Sequence, residues 1–481
     1  MLESAAMGAG GAGERPVRVG MIGLGCAKNL VDAEIMLGYL TQQGVEITNE
    51  LERADVVVVN TCAFIDDAKR ESIEAILEVA ELKRQGKVRR LVVAGCLAQR
   101  HGEELAAELP EVDAFLGLDE LERIGEAASG ALGREHLPMQ GGAWKLYDHT
   151  SPRLLASGGV YAYLKVAEGC DNPCSFCQIP AIRGRFRSRR PESLVAEARR
   201  LEEAGVRELV LVAQDTTRYG EDLGLGRDGL RRLLEELLAK TSLPWIRFLY
   251  AYPATLDAGI FPLMRSEPRL VPYLDLPLQH CSRAVLKAMR RGGDATSYRE
   301  LIERARCEVP GIAIRSTFIV GFPVEGEGEF EELEGFLEAV RLDHVGVFAY
   351  SCQPSTPAAE LGDPVPARIK ERRRRKLMRL QERIARERLR KLQGHRAVVL
   401  VEGASEESEL LLQGRLASQA PEVDGRVLIA SGTVAAGDLV EVRVRKTYAF
   451  EVVGDVVGVV QVAPRAASAL PGTGRTATAG G

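Results

Sequence analysis

Apolar residues fall along the chain in short continuous runs separated by amphipathic stretches, and the alternation is regular from Val17 onward. The runs VRVGMIGLG, ADVVVVNTC and RLVVAGCL are interleaved with helical patterns from Asn29 to about Gln43, from Asp66 to Gln85, and up to about Pro110. Short, continuous β-branched runs mark strands buried on both faces. They predict a doubly wound parallel sheet, a small α/β domain over residues 16–129.

Residues 130–159, broken by GG, SP and SGG, read as a linker. Beyond them come six more apolar runs: VYAYLKVAEG, ELVLVAQD, WIRFLYAYP, YLDLPLQH, IAIRSTFIVGFP and HVGVFAYS, with room for a helix in most intervals. Six units are too few for a closed eight-unit barrel, so an open, partial β/α barrel is expected, working at the C-terminal ends of its strands. With a terminal basic helix from about Ala367 to Leu392, it would fill residues 160–394. The closely spaced runs RAVVLVEG, DGRVLIA and DLVEVRVRK, joined by Gly turns, predict a small β-barrel over 395–463. The low-complexity ends, 1–15 and 464–481, are expected to be disordered.

Composition narrows the function classes. A length of 481 residues and 46% hydrophobic content are ordinary for a soluble chain of several domains. No run approaches the roughly 18 uncharged apolar residues of a membrane span. The start, MLESAAMGAGGAGERPVRVG, lacks the apolar core of a signal peptide. A cytoplasmic protein without a membrane partner is expected. There, nine cysteines are not expected to form a disulfide framework, which leaves metal ligands, reactive thiols or buried small residues.

Position sorts the cysteines. Cys170, Cys174 and Cys177 follow the first barrel strand in a C-x-x-x-C-x-x-C loop. That spacing lets three thiolates meet one inorganic cluster and leaves one iron without a protein ligand, open to a substrate's donor atoms. The competing reading is a zinc ribbon, which wants a fourth ligand, and no partner C-x-x-C follows. Cys26, Cys62 and Cys96 are distant in sequence, yet each falls at or beside the C-terminal end of one predicted parallel strand. Those ends face one crevice in an open α/β sheet, so these thiols too would converge; the alternative is three buried apolar cysteines. Cys281, Cys307 and Cys352 share no spacing and read as core or near-site residues. A dinucleotide fingerprint after the first strand is incomplete, because Lys28 stands where the third glycine of G-x-G-x-x-G belongs.

Taken together, the C-x-x-x-C-x-x-C loop, GLGCAKNLVDAE, VVVNTCAFI and VVAGCLAQR resemble the radical S-adenosylmethionine (radical SAM) methylthiotransferases, and the C-terminal module resembles their TRAM domain. The resemblance runs from about Val17 to Ala463. One branch thiomethylates an adenosine of transfer RNA. The RimO-type branch modifies an aspartate of ribosomal protein S-twelve, and GCAKNLVDAE, in place of the C-x-M-N form of the tRNA enzymes, favours it, as do VAQDTTRYG and DLPLQHCSRAVLKAMRRGG. Departures occur at Ala33, at Val324 in GFPVE, and at Gln353 and Ser355 in YSCQPSTPA.

The resemblance implies two 4Fe-4S clusters, one on Cys170, Cys174 and Cys177 and one on Cys26, Cys62 and Cys96. It also implies SAM as radical source and methyl donor, an electron donor of unknown identity, and ribosomal protein S-twelve or the small ribosomal subunit as partner. A tRNA methylthiotransferase is the alternative, and a non-catalytic iron–sulfur scaffold a third reading. At strand ends, Gln214, Asp215, Gln279 and Arg315 are candidate SAM or substrate contacts, and Arg183, Arg185 and Arg187 candidate partners for the target carboxylate.

Charge bears on the substrate. Between Arg396 and Gln461 stand six basic and ten acidic residues, Glu406, Glu407 and Glu409 among them, whereas a module that grips RNA phosphates should be basic. Such a module suits a basic protein. Against this, Arg368 to Lys391 carry thirteen basic and three acidic residues, which reads either as a ribosomal RNA contact or as a solvated helix with Glu partners.

Overall fold

A computed structural model describes residues 15–138, 145–405 and 408–463. The segments expected to be disordered, apart from Arg15, lie outside these residues, as do Glu406, Glu407 and 139–144 of the expected linker.

The first layer is a five-stranded, all-parallel sheet in the order β2-β1-β3-β4-β5. Its strands are β1 (Arg18–Gly23), β2 (Glu46–Thr48), β3 (Val56–Thr61), β4 (Arg90–Gly95) and β5 (Ala114–Leu116). Between them run α1 (Ala27–Gln42), α2 (Asp66–Arg84) and α3 (Cys96–Glu108), and α4 (Ile124–Ser129) follows. The three long runs became β1, β3 and β4; the edge strands β2 and β5, three residues each, carry no pattern long enough to read. Every residue of β3 is buried, because helices cover both faces of the sheet.

The six expected barrel runs form six parallel strands. They are β6 (Tyr161–Lys165), with β7 (Ala167–Glu168) and β8 (Arg187–Ser188) as a small hairpin beside it, then β9 (Glu208–Val212), β10 (Trp245–Phe248), β11 (Tyr273–Asp275), β12 (Ala313–Val320) and β13 (His344–Ala349). They pair as two triplets, β10-β9-β6 and β11-β12-β13, joined through an isolated bridge from Ile246 to Leu270. The arc is therefore open. Helices α5 (Ile179–Arg183), α6 (Pro191–Glu203), α7 (Gly229–Lys240), α8 (Ile260–Ser266), α9 (Arg283–Ala288), α10 (Ala295–Glu308) and α11 (Glu327–Val340) fill the intervals. The basic helix is α12 (Ala367–Arg390). Leu377, Leu380, Ile384 and Ala385 bury its apolar stripe, and Lys376 and Arg383 reach Glu334 and Glu338 of α11. Much of its charge is thus paired within the molecule.

The last module is a closed barrel in the order β14-β15-β16-β18-β17, from β14 (Arg396–Ser405), β15 (Ser408–Leu416), β16 (Arg426–Ser431), β17 (Leu439–Thr447) and β18 (Glu451–Gln461). It docks at the N-terminal end of the β/α strands. Tyr161 and Tyr273 donate hydroxyl hydrogen bonds to Glu422 (2.7 Å) and Asp424 (2.6 Å), and Arg415 reaches Glu208 at the start of β9. The cysteine loops lie at the opposite end of those strands.

Candidate iron–sulfur and substrate site

Each N-terminal cysteine sits where a strand hands over to a helix. Cys26 is the residue before α1, its carbonyl accepting from the N–H groups of Asn29 and Leu30; Cys62 follows β3; Cys96 opens α3. The strand ends are laced together by polar side chains. Asn29 donates to the carbonyls of Leu24 and Thr61, Asn60 to that of Asn29, and Thr61 to that of Ala94. Ser72 of α2 clamps Cys62 by accepting from its N–H and donating to its carbonyl, both at 3.0 Å. At Gly25, φ is +95°, and a Cβ there would stand 2.9 Å from Cys62 Cβ and 3.1 Å from its sulfur. Only glycine both adopts that backbone and leaves Cys62 its place.

The second set is built on the loop that β7 and β8 close at its base. Asn172 donates to Asp215 (2.7 Å), Phe186 N–H to Asp171, and Ser175 is tied by its N–H and hydroxyl to the carbonyls of Met289 and Ala288. Arg291, stacked 4.3 Å over the Tyr252 ring, donates to Cys174 Sγ, and the Ile179 N–H donates to Cys177 Sγ.

The donor set fits iron–sulfur chemistry. Three N–H groups point at sulfurs, counting Arg183 Nη2 at 3.3 Å from Cys96 Sγ, and such bonds stabilise metal-bound thiolate. Within each set the sulfurs lie in one another's electrostatic reach. Among the described residues no three His, Cys, Asp or Glu side chains close on a point as one metal ion would require. Burial pushes the Cys62 and Cys177 thiols up to about 12 and Cys170 to about 11. Cys26 is exposed but recessed between domains. Desolvation there acts to raise its thiol, and Lys28, then Arg183 and the N–H groups of Asn29 and Lys28, outweigh it and bring it down.

Between the two sets lies a buried charge network. Arg183, 1% exposed, donates to Glu168 (2.9 Å) and Asp32 (3.1 Å) as well as to Cys96, and Lys165 pairs with the same two carboxylates. Arg183 thus joins the barrel to the N-terminal sheet and is not a free anchor for a substrate carboxylate. Arg185 is exposed, and Arg187 donates to the Arg183 and Arg185 carbonyls. On the far side Gln353 is buried and bridges the domains, donating to Asp66 (3.0 Å) and accepting from Arg100 (3.1 Å). Asp66 is held down at about 2: burial opposes this, and bonds from Lys69, Ser351 and Gln353 prevail.

The four barrel residues separate. Gln214 bonds Glu168 (3.0 Å), and Asp215 is buried, spent on Asn172 and Thr217, so both brace the cysteine loops. Gln279 has φ +70°, held by its N–H to Thr317 and its carbonyl from Ile319, and lines a cleft of about 180 Å³ that Phe64 and Phe176 also line. Phe64 follows Cys62 and Phe176 precedes Cys177, so this cleft touches both cysteine loops. Arg315 differs from its expected address: it is third in β12, near the strand's N-terminal end, 3.4 Å from both Asp275 and Asp424. Cys281 is core, Cys307 exposed, and Cys352 packs beside Tyr350. Lys28, Asp32, Glu168, Tyr250 and Arg291 carry no role in the sequence reading. Lys28, Asp32 and Glu168 lie in or beside cysteine motifs, whereas Tyr250 and Arg291 do not.

Comparison with known proteins agrees with this architecture. Residues 18–117 match the family described as uncharacterized protein family UPF0004, 164–337 the radical SAM superfamily, and 394–457 the TRAM domain. The chain is 48% identical over 440 residues to the ribosomal protein uS12 methylthiotransferase RimO of Pelobacter propionicus, covering 91% of this chain and 98% of that one. To the protein of the same name from Geobacter sulfurreducens it is 47% identical, covering 92% and 98%. Among solved structures, the radical S-adenosylmethionine methyltransferase TsrM from Kitasatospora setae shares the fold, with a TM-score of 0.52 at 15% identity over 72% of this chain and 77% of that one. The chain belongs to the RimO family of radical SAM methylthiotransferases.

Proposed function

We propose that this chain adds a methylthio group to the β-carbon of an aspartate of ribosomal protein S-twelve, using SAM and two 4Fe-4S clusters. The observation that carries this reading is the pair of cysteine triplets linked through Arg183, which touches Cys96 and lies six residues beyond Cys177. When bound, the group on Cys170, Cys174 and Cys177 supplies the electron that splits SAM, and the group on Cys26, Cys62 and Cys96 supplies sulfur.

The chain's own residues do the rest. Asn172, Asp215 and Ser175 fix the signature loop, so its thiols need not be ordered when metal arrives. Lys165, Arg183, Asp32 and Glu168 lock the two halves of the site in register. Phe64, Phe176, Ile319, Phe348 and Tyr350 give the cleft beside both cysteine loops an apolar lining that excludes water. The relatives' shared name and the excess of acidic over basic residues in the C-terminal module favour the ribosomal protein over tRNA.

Anaerobic reconstitution with iron and sulfide analysis is expected to return two 4Fe-4S clusters per chain. Replacing Cys26, Cys62 and Cys96 together by Ala should remove one and leave SAM cleavage; retention of both refutes the N-terminal site. Mass spectrometry of a deletion strain should find the methylthio adduct missing from ribosomal protein S-twelve. Loss from tRNA alone overturns the substrate.

A further inference from the structure

Lys28 is a buried cation without a carboxylate. It is 7% exposed, and its Nζ stands 3.4 Å from the centroid of the Tyr250 ring, with no ion pair among the described residues. Its neighbours are committed: Lys165 and Arg183 to Asp32 and Glu168, Arg291 to Cys174 and the Pro277 carbonyl, Arg315 to Asp275. A buried charge is ordinarily paired; Lys28 has the ring face and the Cys26 sulfur beside it, and neither is a carboxylate. Cys26, two residues earlier, is exposed.

Tyr250 adds an independent observation. Its φ is +62°, a conformation costly to a residue with a side chain, and it is fixed by its N–H to Asp275 (2.9 Å) and its carbonyl accepting from Thr216. Two residues on, Tyr252 carries Arg291, which bonds Cys174. Two residues span at most about 7 Å, so one short segment carries both the Lys28 contact and the Arg291 contact.

We propose that Lys28 binds the carboxylate of the target aspartate, with Tyr250 as the platform that aims its ammonium. The inference rests on the aspartate-modifying reading above and names the group by which the site recognises that side chain. An ammonium there holds the carboxylate while hydrogen is taken from the adjacent β-carbon, and it discriminates against asparagine, which offers no charge.

The test uses the cluster-loaded full chain and two synthetic peptides: one carrying the target aspartate in its ribosomal protein S-twelve loop, one with asparagine in its place. Affinity is read by fluorescence anisotropy and turnover by mass spectrometry of the methylthio adduct. In the unmodified protein the asparagine peptide should bind about 10- to 100-fold more weakly. Lys28→Met should weaken the aspartate peptide by a similar factor and abolish the difference between peptides, while Lys28→Arg retains the preference. Lys28→Gln, which keeps a polar chain over Tyr250, gives the same reading if the methionine variant does not load its clusters. An undiminished aspartate preference in Lys28→Met or Lys28→Gln overturns the proposal and leaves Lys28 a tether between domains. Failure of the unmodified protein to act on the aspartate peptide overturns instead the function on which the proposal rests.

Discussion

Cys26 and Cys62 stand at one crevice, yet their surroundings push their thiols in opposite directions. Burial and the neighbouring Cys96 and Cys26 raise Cys62 to about 12, whereas Lys28 and Arg183 bring exposed Cys26 below its ordinary value despite desolvation. The thiolate is the nucleophile, so at a given pH the lowered thiol holds the larger reactive fraction. In cluster-free protein treated with iodoacetamide at about pH 8, Cys26 should therefore be alkylated before Cys62 and Cys96, read by peptide mass spectrometry over time. Equal rates would mean that the two cations do not act on Cys26. At this scale the sequence reading reached the six cysteines, because a strand end and a loop spacing are local facts. Arg183 was legible only as a candidate partner for the target carboxylate, and Lys28 and Arg291 not at all, because their contacts come from partners as far away as the 151 residues that separate Arg183 from Asp32.

Helix α12 shows how the same composition supports two readings until its faces are known. Its thirteen basic residues fit either an RNA contact or a helix with Glu partners, and the helix lies along α11 with Lys376 and Arg383 against Glu334 and Glu338. Exposed pairs of this kind are worth about 0.2–1 kcal/mol each and weaken with salt. The attachment rests on Leu377 and Ile384, both fully buried. Ile384→Ala is expected to cost about 2–5 kcal/mol and Glu338→Gln less than about 1 kcal/mol, measured by denaturant unfolding. A larger loss at Glu338 would reverse the assignment of what holds the helix. Element by element, the long runs were legible because their period or continuity exceeds a turn's worth of noise. The edge strands β2 and β5 and the hairpin β7–β8 were not: two or three residues carry no periodicity, and tertiary pairing alone makes them strands.

For the whole molecule, the placement of the C-terminal barrel changes what its acidity means. Glu422 and Asp424, counted in the acidic excess, turn inward to Tyr161, Tyr273 and Arg315 at the base of the β/α arc, so part of that charge serves docking rather than a partner. The centre of the joint is Glu208, fully buried, which accepts from Arg247 Nε (2.7 Å) and Arg415 Nη2 (2.5 Å). Arg415 in turn donates to Glu402 and to the Gln419 carbonyl. Two guanidinium groups thus depend on one carboxylate, one from each domain. Glu208→Gln leaves Arg247 without its anion and Arg415 with Glu402 alone, and breaking a buried pair in this way costs about 3–5 kcal/mol. The loss falls on the joint: hydrogen exchange should rise at Leu416–Gly425 and at the starts of β9 and β11. Glu441→Gln, which breaks only an exposed pair with Arg396 inside the small barrel, should change neither. Because the cysteine loops occupy the other end of the same strands, iron loading of Glu208→Gln should match that of the unmodified chain. A variant that loses iron in step with the exchange protection would show that the two ends of the arc fold as one unit, and that docking supports the metal site through the strands between them.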